Sequence, residues 1–88
     1  MKFQFSGNLL RYVDFHREVE VSGDTVEEGV INLSQKFPGF ARIIHDSEGQ
    51  IRMLHRLHLN GELLDPDDYS QPVTSEDVIG VITPIAGG

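Results

Sequence analysis

Asp24-Thr25-Val26-Glu27-Glu28-Gly29-Val30-Ile31-Asn32-Leu33-Ser34-Gln35-Lys36-Phe37-Pro38-Gly39 holds one helix together with its start and stop signals. Thr25-Val26-Glu27-Glu28 reads as a capping box. The Thr25 hydroxyl oxygen can accept from the Glu28 amide, and the Glu28 carboxylate can reach back to the Thr25 amide. Both glutamates fall in the first turn, where the helix dipole favours negative charge. Val26, Val30, Leu33 and Phe37 follow at spacings of 4, 3 and 4, a single apolar stripe at helical period. Gly29 interrupts this helix at a cost of about 1 kcal/mol relative to Ala, which a close approach of helix to sheet would explain. Pro38-Gly39 is expected to end the helix.

On either side of the helix the period changes to two. Met1, Phe3 and Phe5 alternate with Lys2 and Gln4, and Val19 and Val21 alternate with Glu18 and Glu20. Between them lie a Ser6-Gly7-Asn8 turn and an irregular apolar stretch at residues 9–14, so the two strands form a hairpin with a long loop. After the helix, residues 41–44 are apolar and Asp46-Ser47-Glu48-Gly49 is a turn. Ile51, Met53, His55, Leu57 and Leu59 then share one face of a long strand, with Arg52, Leu54, Arg56 and His58 on the other. Asn60-Gly61 signals a two-residue hairpin into a short strand at residues 62–64. Residues 65–69 read as a turn or a single helical turn. Val78-Ile79-Gly80-Val81-Ile82 opens a last strand that is apolar on both faces, as a central strand should be.

The element order is therefore β-β-α-β-β-β. One helix cannot bury its stripe alone, so an α+β fold is expected: a five-stranded mixed sheet with one main helix across one face. The first and last strands are expected at the centre. Phe3, Phe5, Val19, Val21, Val26, Val30, Leu33, Leu57, Leu59, Ile79 and Val81 are the expected core.

The chain has 88 residues, 39% of them hydrophobic and 24% charged, which suits one small globular domain at residues 1–83 followed by a tail at residues 84–88. Cysteine is absent, which excludes a disulfide framework and a thiolate nucleophile. Seven Lys and Arg against fourteen Asp and Glu give a formal net charge of −7. That balance disfavours nucleic acid and anionic membrane surfaces and suits a basic protein partner. No apolar run approaches the roughly 20 residues of a membrane span. The opening MKFQFSGN lacks a secretory layout, so a cytoplasmic location is expected. His55 and His58 have odd separation on one strand and point to opposite faces, so no metal site is expected. Asp65, Asp67 and Asp68 lack calcium-loop spacing. No catalytic arrangement and no phosphate-binding glycine loop is present. The chain reads as a substrate of enzymes and not as an enzyme.

Four features carry a resemblance. They are Asp24-Thr25-Val26 opening the helix, Phe37-Pro38-Gly39 closing it, Leu59-Asn60-Gly61-Glu62 at the late hairpin, and Pro84-Ile85-Ala86-Gly87-Gly88 at the end. In order and spacing they resemble the ubiquitin-like β-grasp proteins, and specifically the MoaD/ThiS sulfur carriers. The stretch at residues 41–52 makes the chain more similar to the molybdopterin-synthase small subunit or to cysteine-biosynthesis carriers than to the shorter thiamine-branch carriers.

The resemblance implies a function. An activating enzyme adenylates the Gly88 carboxylate with ATP, and a sulfur-donor protein converts it to a thiocarboxylate. An acceptor biosynthetic enzyme then takes the sulfur. ATP belongs to the partner, and no cofactor is expected to stay bound. The tail makes chemical sense on its own terms. Residues 84–88, extended, span roughly 15–18 Å. Gly87 and Gly88 place no Cβ beside the reacting carbon and let the backbone thread a narrow channel. Pro84 ends sheet pairing, and Ile85 and Ala86 offer the strip a modest apolar grip. Leu54 and Ile82, framed by Arg56 and His58, are expected to form a docking spot near the tail. Two other functions compete. One is a ubiquitin-like modifier joined through Gly88 to lysines of other proteins. The other is an interaction domain with no tail chemistry.

Overall fold

The alternating segments become strands and the capped segment becomes a helix, in the expected order. A computed structural model describes residues 1–51 and 56–82. The strands are β1 (Lys2–Gln4), β2 (Glu18–Glu20), β3 (Arg56–Leu59), β4 (Glu62–Leu63) and β5 (Val78–Ile82), in the sheet order β2-β1-β5-β3-β4. β1 and β5 run parallel, and the other pairs are antiparallel. The last strand is thus central, with the first beside it; Ile79 and Val81 are buried on its inner face, while Ile82 on the other face is 49% exposed. The long strand expected from Ile51 is described only as β3, because Met53 and His55 lie outside the described residues. Ile51 itself forms an isolated bridge with His45.

The main helix, α1 (Val26–Lys36), starts as its sequence dictates. The Thr25 hydroxyl oxygen accepts from the Glu28 amide at 3.1 Å. The Glu28 carboxylate reaches one residue further back than the sequence implied, and Asp24 donates to it at 3.0 Å. Gly29 is buried where the helix meets β1. A Cβ there would run into Met1 Sδ, come within 2.7 Å of Met1 Cε, and lie 3.1 Å from Phe3 Cε1. The glycine is a close-approach site.

Pro38-Gly39 does not end the helical region. Phe37 breaks α1, and Pro38 opens a second helix, α2 (Pro38–Ile44). Proline suits a first helical position because the amide it lacks has no partner there. The residues after it, Phe40 and Ile44, are fully buried, and the Phe40 ring meets Phe5 edge-on at 5.6 Å. The irregular stretch is a 3₁₀ segment, Gly7–Val13, that buries Leu9 and Val13. Pro66–Asp68 is one further 3₁₀ turn.

The core joins α1, α2, the first 3₁₀ segment and one sheet face. Nine of the expected members are buried there; Val21 and Leu59 are only half-buried, at the rim. Val21 follows the end of the edge strand β2, and Leu59 ends β3 at the hairpin. At the late hairpin, Asn60 has φ 51° and Gly61 φ 89°. Positive φ at both central residues is what the two-residue turn requires.

Candidate docking face and tail root

Register fixes which side chains leave the core. Leu57 opposite Val81 and Leu59 opposite Ile79 point toward the helix. Arg56 opposite Ile82 and His58 opposite Gly80 therefore point away. Arg56 is exposed, Ile82 is 49% exposed, and His58 is half-buried. Arg56, His58 and Ile82 thus share the outer face, as the alternation implied. Gly80 leaves an open floor beside His58, since a Cβ there would sit at 3.8 Å from His58 Cβ. A shallow groove continues from Gly80 and Ile82 past Gln4 to Arg17 and Glu18. Lys2 and Glu18 form a surface ion pair at 3.5 Å near its rim.

Sequence reading missed Leu63. It pairs with His58 on β4 and is 53% exposed. The outer face thus carries two exposed aliphatic residues, Ile82 and Leu63, with His58 and Arg56 between them. A two-residue strand has no period to read, but the hairpin at Asn60-Gly61 puts Leu63 opposite His58 by counting outward from the turn. Leu54, Pro84, Ile85, Ala86, Gly87 and Gly88 lie outside the described residues.

The start of β5 is held by a polar cluster. Asn60 Nδ2 donates to Asp77 Oδ1 at 3.0 Å, the Val78 amide donates to Asn60 Oδ1 at 3.0 Å, and the Thr74 amide donates to Asp77 Oδ2 at 2.7 Å. The Asn60 side-chain bond, followed by the Thr74 amide, holds the Asp77 carboxyl below the usual carboxylate range. Elsewhere in the molecule, burial and then the nearby Asp65 charge push the Tyr69 hydroxyl up. Among the described residues, no group of three or more His, Asp or Glu is placed to hold a metal ion. No helix among them is long and apolar enough to cross a membrane.

A mixed sheet clasped around one main helix, with parallel first and last strands at its middle, is the ubiquitin-like β-grasp fold. Solved structures agree in shape. SAMP1 from Haloferax volcanii is 21% identical with a TM-score of 0.84, covering 100% of this chain and 98% of its own. The Amycolatopsis orientalis BexX/CysO complex contains a chain that is 18% identical, with a TM-score of 0.84, covering 99% of this chain and 98% of its own. A chain of the complex of subunits 1 and 2 of the molybdopterin-converting factor from Helicobacter pylori is 17% identical, with a TM-score of 0.64, covering 99% of this chain and 96% of its own. Among curated proteins, none matches by sequence. The sequence profile of the ThiS family matches residues 5–88, and the chain belongs to that family of ubiquitin-like sulfur carriers and modifiers.

Proposed function

We propose that this protein carries sulfur on the carboxyl group of Gly88. The observation that carries the reading is the ThiS-family match, which runs through the Gly87-Gly88 pair. In the first step a Gly88 carboxylate oxygen attacks the α-phosphorus of ATP in an activating enzyme, and pyrophosphate leaves. In the second, a sulfide-level nucleophile from a sulfur-donor protein attacks the acyl carbon, and AMP leaves with the bonding pair. The thiocarboxylate then gives its sulfur to an acceptor biosynthetic enzyme, in a molybdopterin, cysteine or related route. The protein works in the cytoplasm and keeps no cofactor of its own; ATP is bound and consumed by the partner.

The chemistry of the tail supports this order of events. A reaction at a partner's α-phosphate needs a carboxylate that can leave its own surface and enter a closed site. Pro84, Ile85 and Ala86 serve as the strip that the channel grips, and Gly87 and Gly88 as the part that threads it. Ile82, Arg56 and His58, together with Leu54, dock the domain so that the strip enters at the correct depth. Complexes among proteins of this shape, CysO with BexX and the two converting-factor subunits, are in keeping with a protein partner.

The test is ATP–pyrophosphate exchange with the activating enzyme of the same organism. Deleting Gly88 shortens the reach by about 3.5 Å, and a displacement of even 1 Å is enough to cost on the order of 100-fold. Exchange should collapse while the circular dichroism spectrum stays unchanged. Wild-type exchange in the deletion variant would leave only an interaction domain without tail chemistry. Intact mass separates carrier from modifier: a gain equal to sulfur minus oxygen on the free protein marks the thiocarboxylate, and Gly-Gly remnants on lysines of other proteins mark conjugation.

A further inference from the structure

Two consecutive residues, Asp14 at φ 53° and Phe15 at φ 62°, stand in the left-handed region between the first 3₁₀ segment and β2. A bulky side chain is rare there and strains the backbone. The conformation is locked, because Leu10 O accepts from both the Asp14 and Phe15 amides, the latter at 2.7 Å. His16 N then donates to Val13 O at 3.0 Å. The product of this strained turn is a phenylalanine 72% exposed, the most open large apolar residue among those described. Neither the core nor the outer sheet face uses it.

Its position is set by the strand directions. β1 and β5 are parallel and finish at one end of the molecule, where β2 and β3 begin. Phe5 N donates to Arg17 O at 2.9 Å, and the His16 ring lies 6.4 Å from Phe37 at the close of α1. The turn holding Phe15 is therefore at the end from which the chain continues past Ile82 to Gly88. Charge is sorted along the same axis. Arg11, Arg17, Lys36 and Arg56 all lie toward this end and are exposed, as are the acids Asp14 and Glu18. The acids Glu20, Asp24, Glu27, Glu28, Glu76 and Asp77 gather at the opposite end, around the starts of α1 and β5. The formal charge of −7 hides a pole where these four cations outnumber those two acids.

We propose that Phe15, with the cationic pole around it, is a second docking element that seats in an apolar pocket bordered by carboxylates on the activating enzyme. The proposal rests on the reading of residues 84–88 as the reactive tail. It reverses the expectation, drawn from net charge, of a basic partner surface. Attraction at this pole and repulsion at the other turn the tail end toward its partner during encounter. Phe15 then holds it by burial, and strain keeps the ring presented in advance instead of folded onto the domain.

Phe15→Gly separates binding from folding, because glycine occupies the left-handed region freely. In ATP–pyrophosphate exchange with the activating enzyme, Phe15→Gly should raise the KM for the carrier about tenfold, as loss of an anchor does. The rate at saturation should hold, and the thermal midpoint should not fall. Arg11→Glu with Arg17→Glu should raise KM further and abolish the rise of KM with salt expected for wild type. An unchanged KM for Phe15→Gly, or a lower KM for the charge reversal, would overturn the proposal while leaving the Gly88 chemistry in place. Absence of exchange by the wild-type protein would overturn both.

Discussion

Gly29 shows how one missing Cβ sets the distance between helix and sheet. Two effects of opposite sign decide what a methyl group would do there. Alanine favours a helix interior by about 1 kcal/mol over glycine. Against that, the new Cβ meets Met1 Sδ and Cε and crowds Phe3 Cε1, and overpacking a filled core costs typically about 1–3 kcal/mol. The clashing atoms are the flexible tip of Met1, but the residue is only 4% exposed, and the Phe3 ring stands 3.1 Å from the new Cβ on the other side. Crowding outweighs helix propensity, so Gly29→Ala should lose about 1 kcal/mol net. Urea unfolding checks this through a lower midpoint at unchanged slope. A higher midpoint would mean that the Met1 thioether swings clear and propensity prevails.

At the scale of elements, the β3–β4 hairpin and the start of β5 are fastened through Asn60 and Asp77. The Asp77 carboxyl is held below its usual range. A group with a depressed folded pKa stabilises above its unfolded pKa, and that stabilisation is lost as pH falls through the folded value. Asp77→Asn should therefore be less stable than wild type at neutral pH, and the gap should close in acid. Denaturation midpoints across pH 7 to about 2 check this, spanning the ordinary carboxylate range; a gap that persisted in acid would assign the effect to shape and not to charge. The same elements show what a sequence can reveal. Asn60-Gly61 and Thr25 to Glu28 were legible because each signal is local and its geometry follows from one or two residues. The second helix was not. Pro-Gly is a stop signal in most contexts, and proline also suits a first helical position; it is the burial of Phe40 and Ile44 in the core that decides for a start here. The outward parity of Arg56, His58 and Ile82 was legible from period two. Leu63 was legible only by counting outward from the Asn60-Gly61 turn, since a two-residue strand carries no period, and Phe15 was not legible, because its exposure comes from a backbone conformation that its side chain disfavours.

For the molecule as a whole, the β-grasp fold separates a buried sheet face that makes the domain from an outer face that leaves Ile82 and Leu63 exposed, the face proposed to dock. Ile82 and Leu63 contribute nothing to the core, being 49% and 53% exposed. Truncating them opens no cavity and should leave the unfolding midpoint in place, as surface changes usually do. On the proposed docking, their effect belongs to binding. Ile82 is the last described residue before the tail and stands opposite Arg56, so an anchor there fixes where the tail begins. Leu63 lies on β4, beyond β3 from Ile82 and across from His58, and fixes the rotation of the domain about that point. An anchor near the tail should govern depth as well as affinity, whereas a distant one should govern affinity alone. Ile82→Ala is therefore expected to raise the KM for the carrier in ATP–pyrophosphate exchange about tenfold and also to lower the rate at saturation, because a carboxylate held less firmly meets the α-phosphate less often in line. Leu63→Ala is expected to raise KM and leave the saturated rate alone. If both variants matched wild type in KM and rate, the outer face would be ordinary surface, and recognition would rest on the tail and on the pole that carries Phe15.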